Sequence, residues 1–187
     1  MKIIIFGGSF DPPHIGHIEM ARYVLDNCDK LIIIPVGRSP LKQSSHVADS
    51  HHRFKMTELA FKDLSAKVLV SDFELKSKAE SHSINSVEWL EREYPDSEFS
   101  MIIGNDQFVQ LEQWYQIDKL LEKVSFICFN RSGTALNSII PVNNITDFKM
   151  EVSSTQIRKQ LKASSQNSQG YLSPRVFKYI NKMGLYR

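Results

Sequence analysis

The 187-residue chain has little cysteine: Cys28 and Cys128 stand 100 positions apart, and neither belongs to a CxxC pair. That spacing speaks against a disulfide framework or a zinc ribbon and points to a reducing compartment, the cytoplasm. Both thiols read most simply as small buried hydrophobes. Long hydrophobic runs are lacking too, and none approaches the ~20 residues of a membrane span. The opening MKIIIF is apolar for only four residues before Gly7 and Gly8, which is short for a secretory leader. Charge of one sign is scarce: 23 basic residues against 21 acidic ones leave a formal +2. So small a balance gives little reason to expect a protein that holds nucleic acid mainly by charge. Neither GxGxxG nor GxxxxGK[ST] occurs, which disfavours a hydride-transferring dinucleotide enzyme and a P-loop NTPase. What is present is 42% hydrophobic residues, enough for a real core, at a length that predicts one domain over residues 1–187.

The near-neutral balance is uneven. From Val152 onward there are seven basic residues and no Asp or Glu, so the rest of the chain carries 16 basic against 21 acidic groups. Two readings stand for this basic tail: a solvated helical face, or the end of the molecule that holds an anion.

The order of elements predicts an α/β fold. Lys2–Phe6, Lys30–Pro35, Ala66–Asp72, Glu98–Ile103 and Val124–Phe129 read as strands, with Ser138–Val142 a last edge strand. Helical spacing covers Gly16–Asn27, His52–Asp63, Ser83–Glu93 and Ile117–Lys123. Continuous apolar strands separated by helices imply a Rossmann-like, doubly wound and mostly parallel sheet with helices on both faces. The C-terminal part, residues 152–187, is helical: Ser153, Ser154 and Thr155 offer N-caps for a helix through Leu161. Ser173-Pro174 opens a final helix closed by Gly184. Residues 163–170 form a short polar linker. The cluster His51-His52-Arg53 reads as a helix N-terminal face, and Phe54, Met56, Leu59, Phe61 and Phe177 as core.

The strongest local signal is the loop after the first strand, GGSFDPPHIGH, Gly7 to His17. In a doubly wound sheet the loops at the carboxyl ends of strands hold ligands. Paired glycines let backbone N–H groups approach a phosphate closely. His14-x-x-His17 then places two imidazoles at a helix start, where they can donate to phosphate oxygens as negative charge builds. The alternative is that one histidine caps the helix and the other lies on the surface. Zinc is disfavoured because no third and fourth ligands stand at suitable spacing.

Gly8 to His17, GSFDPPHIGH, resembles the (H/T)xGH signature of the nucleotidyltransferase superfamily, and in particular that of the nicotinate-mononucleotide adenylyltransferases. Further motifs are similar in order and spacing across essentially the whole chain. Pro40-Leu41-Lys42 resembles the P-P-H-K loop after the second strand, with Leu41 where histidine is common. Ser81-His82-Ser83-Ile84 falls where the family has S-Y-T. Ile102 to Asp106 is similar to I-I-G-x-D, followed at family distance by Trp114. Phe129-Asn130-Arg131 with Gly133 resembles the segment after the fifth strand. Val152 to Arg158 resembles I-S-S-T-x-I-R, and Tyr179 to Tyr186 the family's ending.

The resemblance implies transfer of AMP from ATP to nicotinate mononucleotide, with Mg²⁺ accompanying ATP and no direct protein ligand to the metal. It implies catalytic roles for His17, His14, Lys42 and Arg158. ATP would be bound by Gly7, Gly8, Ser9, Phe10, His14, His17, Gly104, Asp106, Arg131, Ser154, Thr155 and Arg158. The mononucleotide would meet Ser9, Phe10, Lys42, Ser83, Asp106 and Trp114, and Asp106 would reach Mg²⁺ through water. On the residues alone, Ser154 and its neighbours also read as an ordinary N-cap, Asp106 as a cap, Trp114 as core and Lys42 as a solvated lysine. Competing readings are another HxGH enzyme, acting on nicotinamide mononucleotide or phosphopantetheine, and a non-catalytic nucleotide sensor. Small-molecule substrates are implied, with neither nucleic acid nor membrane as partner; homo-oligomer formation is left open.

Overall fold

The computed structural model describes residues 1–38, 47–77, 79–130, 142–145, 148, 152–163 and 170–187. Six parallel strands form one sheet in the order β3-β2-β1-β4-β5-β6. The strands are β1 (Lys2–Gly8), β2 (Lys30–Pro35), β3 (Val68–Val70), β4 (Glu98–Gly104), β5 (Val124–Phe129) and β6 (Val142–Ile145). The described helices are α1 (Ile15–Val24), α2 (Ser50–Phe61), α3 (Phe73–Lys76), α4 (Ser83–Glu93), α5 (Asn105–Phe108), α6 (Ile117–Lys123), α7 (Ser154–Lys162) and α8 (Pro174–Met183). None is long and apolar enough to cross a membrane.

Strand alternation sends the apolar runs to both faces at once. Ile3, Ile5, Ile32 and Ile34 pack with Ile84, Val87 and Leu90 of α4 and Leu120 of α6. Ile4, Phe6, Leu31 and Ile33 face the other way, against Met20, Ala21 and Val24 of α1 and Phe61 of α2. A third cluster joins Met56 of α2, Ile157 of α7, Val176 and Ile180 of α8, and Tyr186, so the C-terminal segment is packed down beside α2.

The predicted doubly wound sheet is present and is parallel throughout its described strands. Boundaries differ in informative places. β3 has three residues instead of seven because it lies at the sheet edge, with Leu69 exposed and one neighbouring strand. β1 continues through Gly7 and Gly8, which pair with Ile34 and Pro35. α1 gives way at Leu25 to a tighter 3₁₀ turn through Asn27. The strand expected at Ser138–Val142 is found at Val142–Ile145; residues 138–141 and most of the expected linker, 164–169, lie outside the described residues. α3 and α5 are single turns with no periodicity to announce them. At the C-terminus the caps are as expected: Ser153 accepts the Gln156 N–H and Ser173 that of Val176, and Gly184 closes α8 at φ +65°. Both cysteines are buried free thiols, and burial pushes the Cys128 thiol up to about 11.

Candidate active site

The chain reverses its winding between β1 and β4, and at such a switch point loops splay apart above the carboxyl ends of the strands. The β1–α1 loop opens this cleft. A Cβ on Gly8 would lie 2.8 Å from the Phe10 ring, so only glycine fits there. Phe10 adopts a left-handed backbone (φ 46°), and its ring is buried edge-on to Phe6, Phe61 and His17. Phe10 therefore anchors the loop from below, and only its backbone remains for a ligand.

His14 is the N-cap of α1 and is buried, as the capping alternative expected. His17 is not the surface residue of that alternative. Its half-buried ring stacks on His14 at 3.7 Å and meets Phe10 edge-on at 5.0 Å. Nδ1 of His17 accepts the His14 backbone N–H at 3.2 Å. With Nδ1 so engaged, the neutral ring carries its proton on Nε2, which becomes a donor.

Gly16 explains how the two ends of the sequence meet. A Cβ there would come within 3.0 Å of both the His14 ring and Val152, so its absence lets residue 152 lie against the first turn of α1. α7 begins two residues later. Its Ser154 hydroxyl donates to the Pro12 carbonyl at 2.9 Å, and Arg158 donates to the Asp11 carbonyl at 2.6 Å and to the Thr155 hydroxyl at 3.3 Å. Ser153, not Ser154 or Thr155, is the N-cap, which leaves those two inside the first turn. The basic tail thus contributes one guanidinium directly to the loop.

Three buried charges, Asp11, Arg53 and Glu74, carry no individual signal in the sequence. Arg53, read from the sequence only as part of a helix N-terminal face, is 1% exposed. It donates to the carbonyls of Ser9 (3.0 Å), Val36 (2.7 Å) and Gly37 (3.4 Å), pinning the loops after β1 and β2 together. Burial lowers its pKa while the Asp11 carboxylate raises it. The available signal was periodicity: residues 53, 56, 57, 60 and 61 form one stripe of α2, and Arg53 stands on it. Glu74 is also buried; its carboxylate accepts the Ser86 hydroxyl at 2.6 Å, and burial raises its pKa against that hydrogen bond. No sequence pattern marked Glu74.

On the far side of β1 from α1 lies a cavity of about 320 Å³. Ile5, Ile34 and Met101 make its floor, Ser81, His82 and Ser83 one wall, and Trp114 and Tyr115 another. Trp114 is half-buried, with its ring edge-on to Phe126, so it is packed on the core and faces the cavity together. Ser83 opens α4, and His82 lies 4.5 Å from the Tyr115 ring. Gly7 lines the cavity at the end of β1. Gly104 ends β4, its N–H bonded to the Gln107 side chain, and Asp106 is exposed within the first turn of α5 rather than capping it. Lys42 and Arg131 lie outside the described residues, as do Pro40, Leu41 and Gly133.

This arrangement can be set beside known proteins. Residues 5–160, from β1 into α7, match the cytidylyltransferase-like family model. The nicotinate-nucleotide adenylyltransferase of Bacillus subtilis is 36% identical, the match covering 99% of this chain and 98% of that protein. Nicotinic acid mononucleotide adenylyltransferase of Plasmodium falciparum shares the fold in two solved structures. In the structure with NaAD, the TM-score is 0.80 at 23% identity, covering 99% of this chain and 97% of the other. In the structure with APC it is 0.78 at 23%, covering 99% and 96%. With this full-length identity and the family model spanning the sheet, the HxGH loop and α7, the chain belongs to the cytidylyltransferase-like family and, within it, to the nicotinate-nucleotide adenylyltransferases.

Proposed function

We infer that this chain transfers AMP from ATP to nicotinate mononucleotide, giving deamido-NAD (nicotinate adenine dinucleotide) and pyrophosphate, a step of NAD biosynthesis. The observation that carries the reading is the pairing, at one sheet edge, of a histidine loop closed by α7 with a cavity walled by Ser83 and Trp114. The acceptor's 5′-phosphate oxygen forms a bond to the α-phosphorus of ATP, and the bond from that phosphorus to the β-bridging oxygen breaks. Its electron pair leaves with pyrophosphate. The nucleophile is already an anion, so the reaction needs alignment and charge neutralisation rather than a general base.

The residues divide along the same line. We assign His17, through its Nε2 donor, to the α-phosphate in the transition state, with His14 behind it. The backbone of Gly7, Gly8, Ser9 and Phe10 supplies amides to the phosphates. Ser154, Thr155 and Arg158, at the N-terminus of a nine-residue helix, suit the β- and γ-phosphates. Lys42 and Arg131 are assigned as further cations for the phosphates, and Gly104 and Asp106 to the adenosine ribose. On the acceptor side Trp114 stacks on the pyridine ring and Ser83 lies by its carboxylate, with Ser9, Phe10, Lys42 and Asp106 completing the site. Among the described residues no three His, Cys, Asp or Glu side chains gather to hold a metal. Mg²⁺ would be carried in by ATP and would supply neutralisation of phosphate charge, with exposed Asp106 placed to meet its water shell. The two buried thiols fit a cytoplasmic setting.

The test is direct: ATP and Mg²⁺ are incubated with nicotinate mononucleotide, nicotinamide mononucleotide or phosphopantetheine, and pyrophosphate release is followed. The expected result is the highest kcat/KM with nicotinate mononucleotide. Turnover of phosphopantetheine alone would overturn the reading.

A further inference from the structure

We propose that Tyr186, beyond the last helix, is a positioning residue for this transfer, acting through Asp11 on the phosphate loop. The proposal rests on the adenylyltransferase reading. Tyr186 is 6% exposed, and its backbone is held in the left-handed region at φ 63°, a conformation a tyrosine adopts only under constraint. Its hydroxyl donates to Asp11 Oδ1 at 2.6 Å across 175 residues of sequence.

Asp11 is itself 3% exposed and collects three donors. Oδ1 also accepts the Ala48 N–H at 3.2 Å, and Oδ2 accepts the Val47 N–H at 2.8 Å. The same residue's carbonyl receives Arg158. One carboxylate thus ties the tail to the segment entering α2, while its backbone ties the loop to α7. It stands three residues before His14, so any rotation of Asp11 is transmitted to the cap of α1 and to the Arg158 guanidinium.

The phenol suits a permanent donor. Burial, and then the adjacent Asp11 charge, push its pKa far above the ordinary tyrosine value, so it stays protonated throughout the working pH range. A tyrosine kept only for packing against Met56 would need no hydroxyl directed at a carboxylate. The hydroxyl–carboxylate bond is of the short, charge-assisted kind.

The experiment compares full-length wild type with Tyr186→Phe, which retains the ring and removes the hydroxyl. Expected is a kcat about tenfold lower, from the loss of one charge-assisted hydrogen bond. Amide exchange at Val47 and Ala48 is expected to quicken in the same variant, because Asp11 is no longer held. Adding Asp11→Asn to Tyr186→Phe should cost less than the product of the two single effects, since both act through one contact. A Tyr186→Phe enzyme with wild-type kcat, wild-type KM for both substrates and unchanged protection at Val47 and Ala48 would overturn the proposal, whatever its Tm. If the wild type fails to use nicotinate mononucleotide, the adenylyltransferase reading fails, and the exchange measurement still decides whether Tyr186 holds Asp11.

Discussion

The histidine loop and the cavity beside Trp114 share one sheet edge and are built in opposite ways. At the loop, buried polar groups do the holding: Asp11, His14 and Arg53 are each at most 3% exposed, and Asp11 and Arg53 reach across distant segments. The cavity floor is hydrocarbon, from Ile5, Ile34 and Met101, and Trp114 adds an aromatic wall, with Glu74, Ser81, His82, Ser83, Ser86 and three glutamines supplying the polar part of the lining. Developing phosphate charge is best met by dipoles that are already in place and do not reorganise. A flat aromatic acceptor needs shape and a dry wall, with a small number of polar groups to orient it. Stability and chemistry are therefore entangled at the loop and separable at the cavity.

That contrast can be broken from either side. The largest effect is expected for Arg53→Ala, which leaves the carbonyls of Ser9, Val36 and Gly37 without their buried donor. A loss of about 4 kcal/mol is expected, read as a Tm lower by roughly 10 °C in thermal unfolding. His17→Ala removes the Nε2 donor assigned to the transition state and should lower kcat by at least ~10²-fold, or about 2.7 kcal/mol, in a chain that stays folded by circular dichroism. An active His17→Ala enzyme would remove the histidine from the mechanism. Trp114→Ala should act on the other side of the comparison: KM for the mononucleotide rises about tenfold while KM for ATP holds, measured by initial rates at varied concentrations of each. Equal losses for both substrates would show that the two regions are not separable.

The smallest effect concerns the carboxylate that lines the cavity, Glu74. Burial raises the folded-state pKa of Glu74 above its ordinary value near 4.5, so the folded protein binds more protons than the unfolded chain in the interval between the two. Stability then falls as pH rises from about 4.5 through the folded pKa, the reverse of a salt-bridged acid. Glu74→Gln should flatten that slope and raise Tm by about 2 °C at pH 8 relative to pH 5, by calorimetry at both pH values. A steeper slope in the variant would mean that the carboxylate is stabilised by charge partners rather than strained by burial.

Much of this organisation was legible in the chain. The apolar strands, the caps of α7 and α8 and the loop from Gly7 to His17 declared themselves because each depends on neighbours within a few positions: a period, a cap or a tight turn. Arg53 was half-legible, since it stands on the buried stripe of α2, but charge makes an exposed reading the natural one. Glu74 and Tyr186 were not legible as buried, hydrogen-bonded side chains. Their partners Ser86 and Asp11 lie 12 and 175 residues away, and no local pattern encodes a contact of that kind.

By itself the sequence determined the alternation of strands and helices, the place of the Gly7–His17 loop after the first strand and the uneven distribution of charge, because these follow from spacing and composition. Only the tertiary structure decided that the acid-free tail returns to that loop, with Arg158 on the Asp11 carbonyl and Tyr186 on the Asp11 carboxylate. It likewise decided that Gly16 is small so that residue 152 can approach α1. The physical reason is common to these cases: hydrogen bonds and van der Waals contacts act over a few ångströms of space, and only folding brings positions so far apart in the chain within that reach.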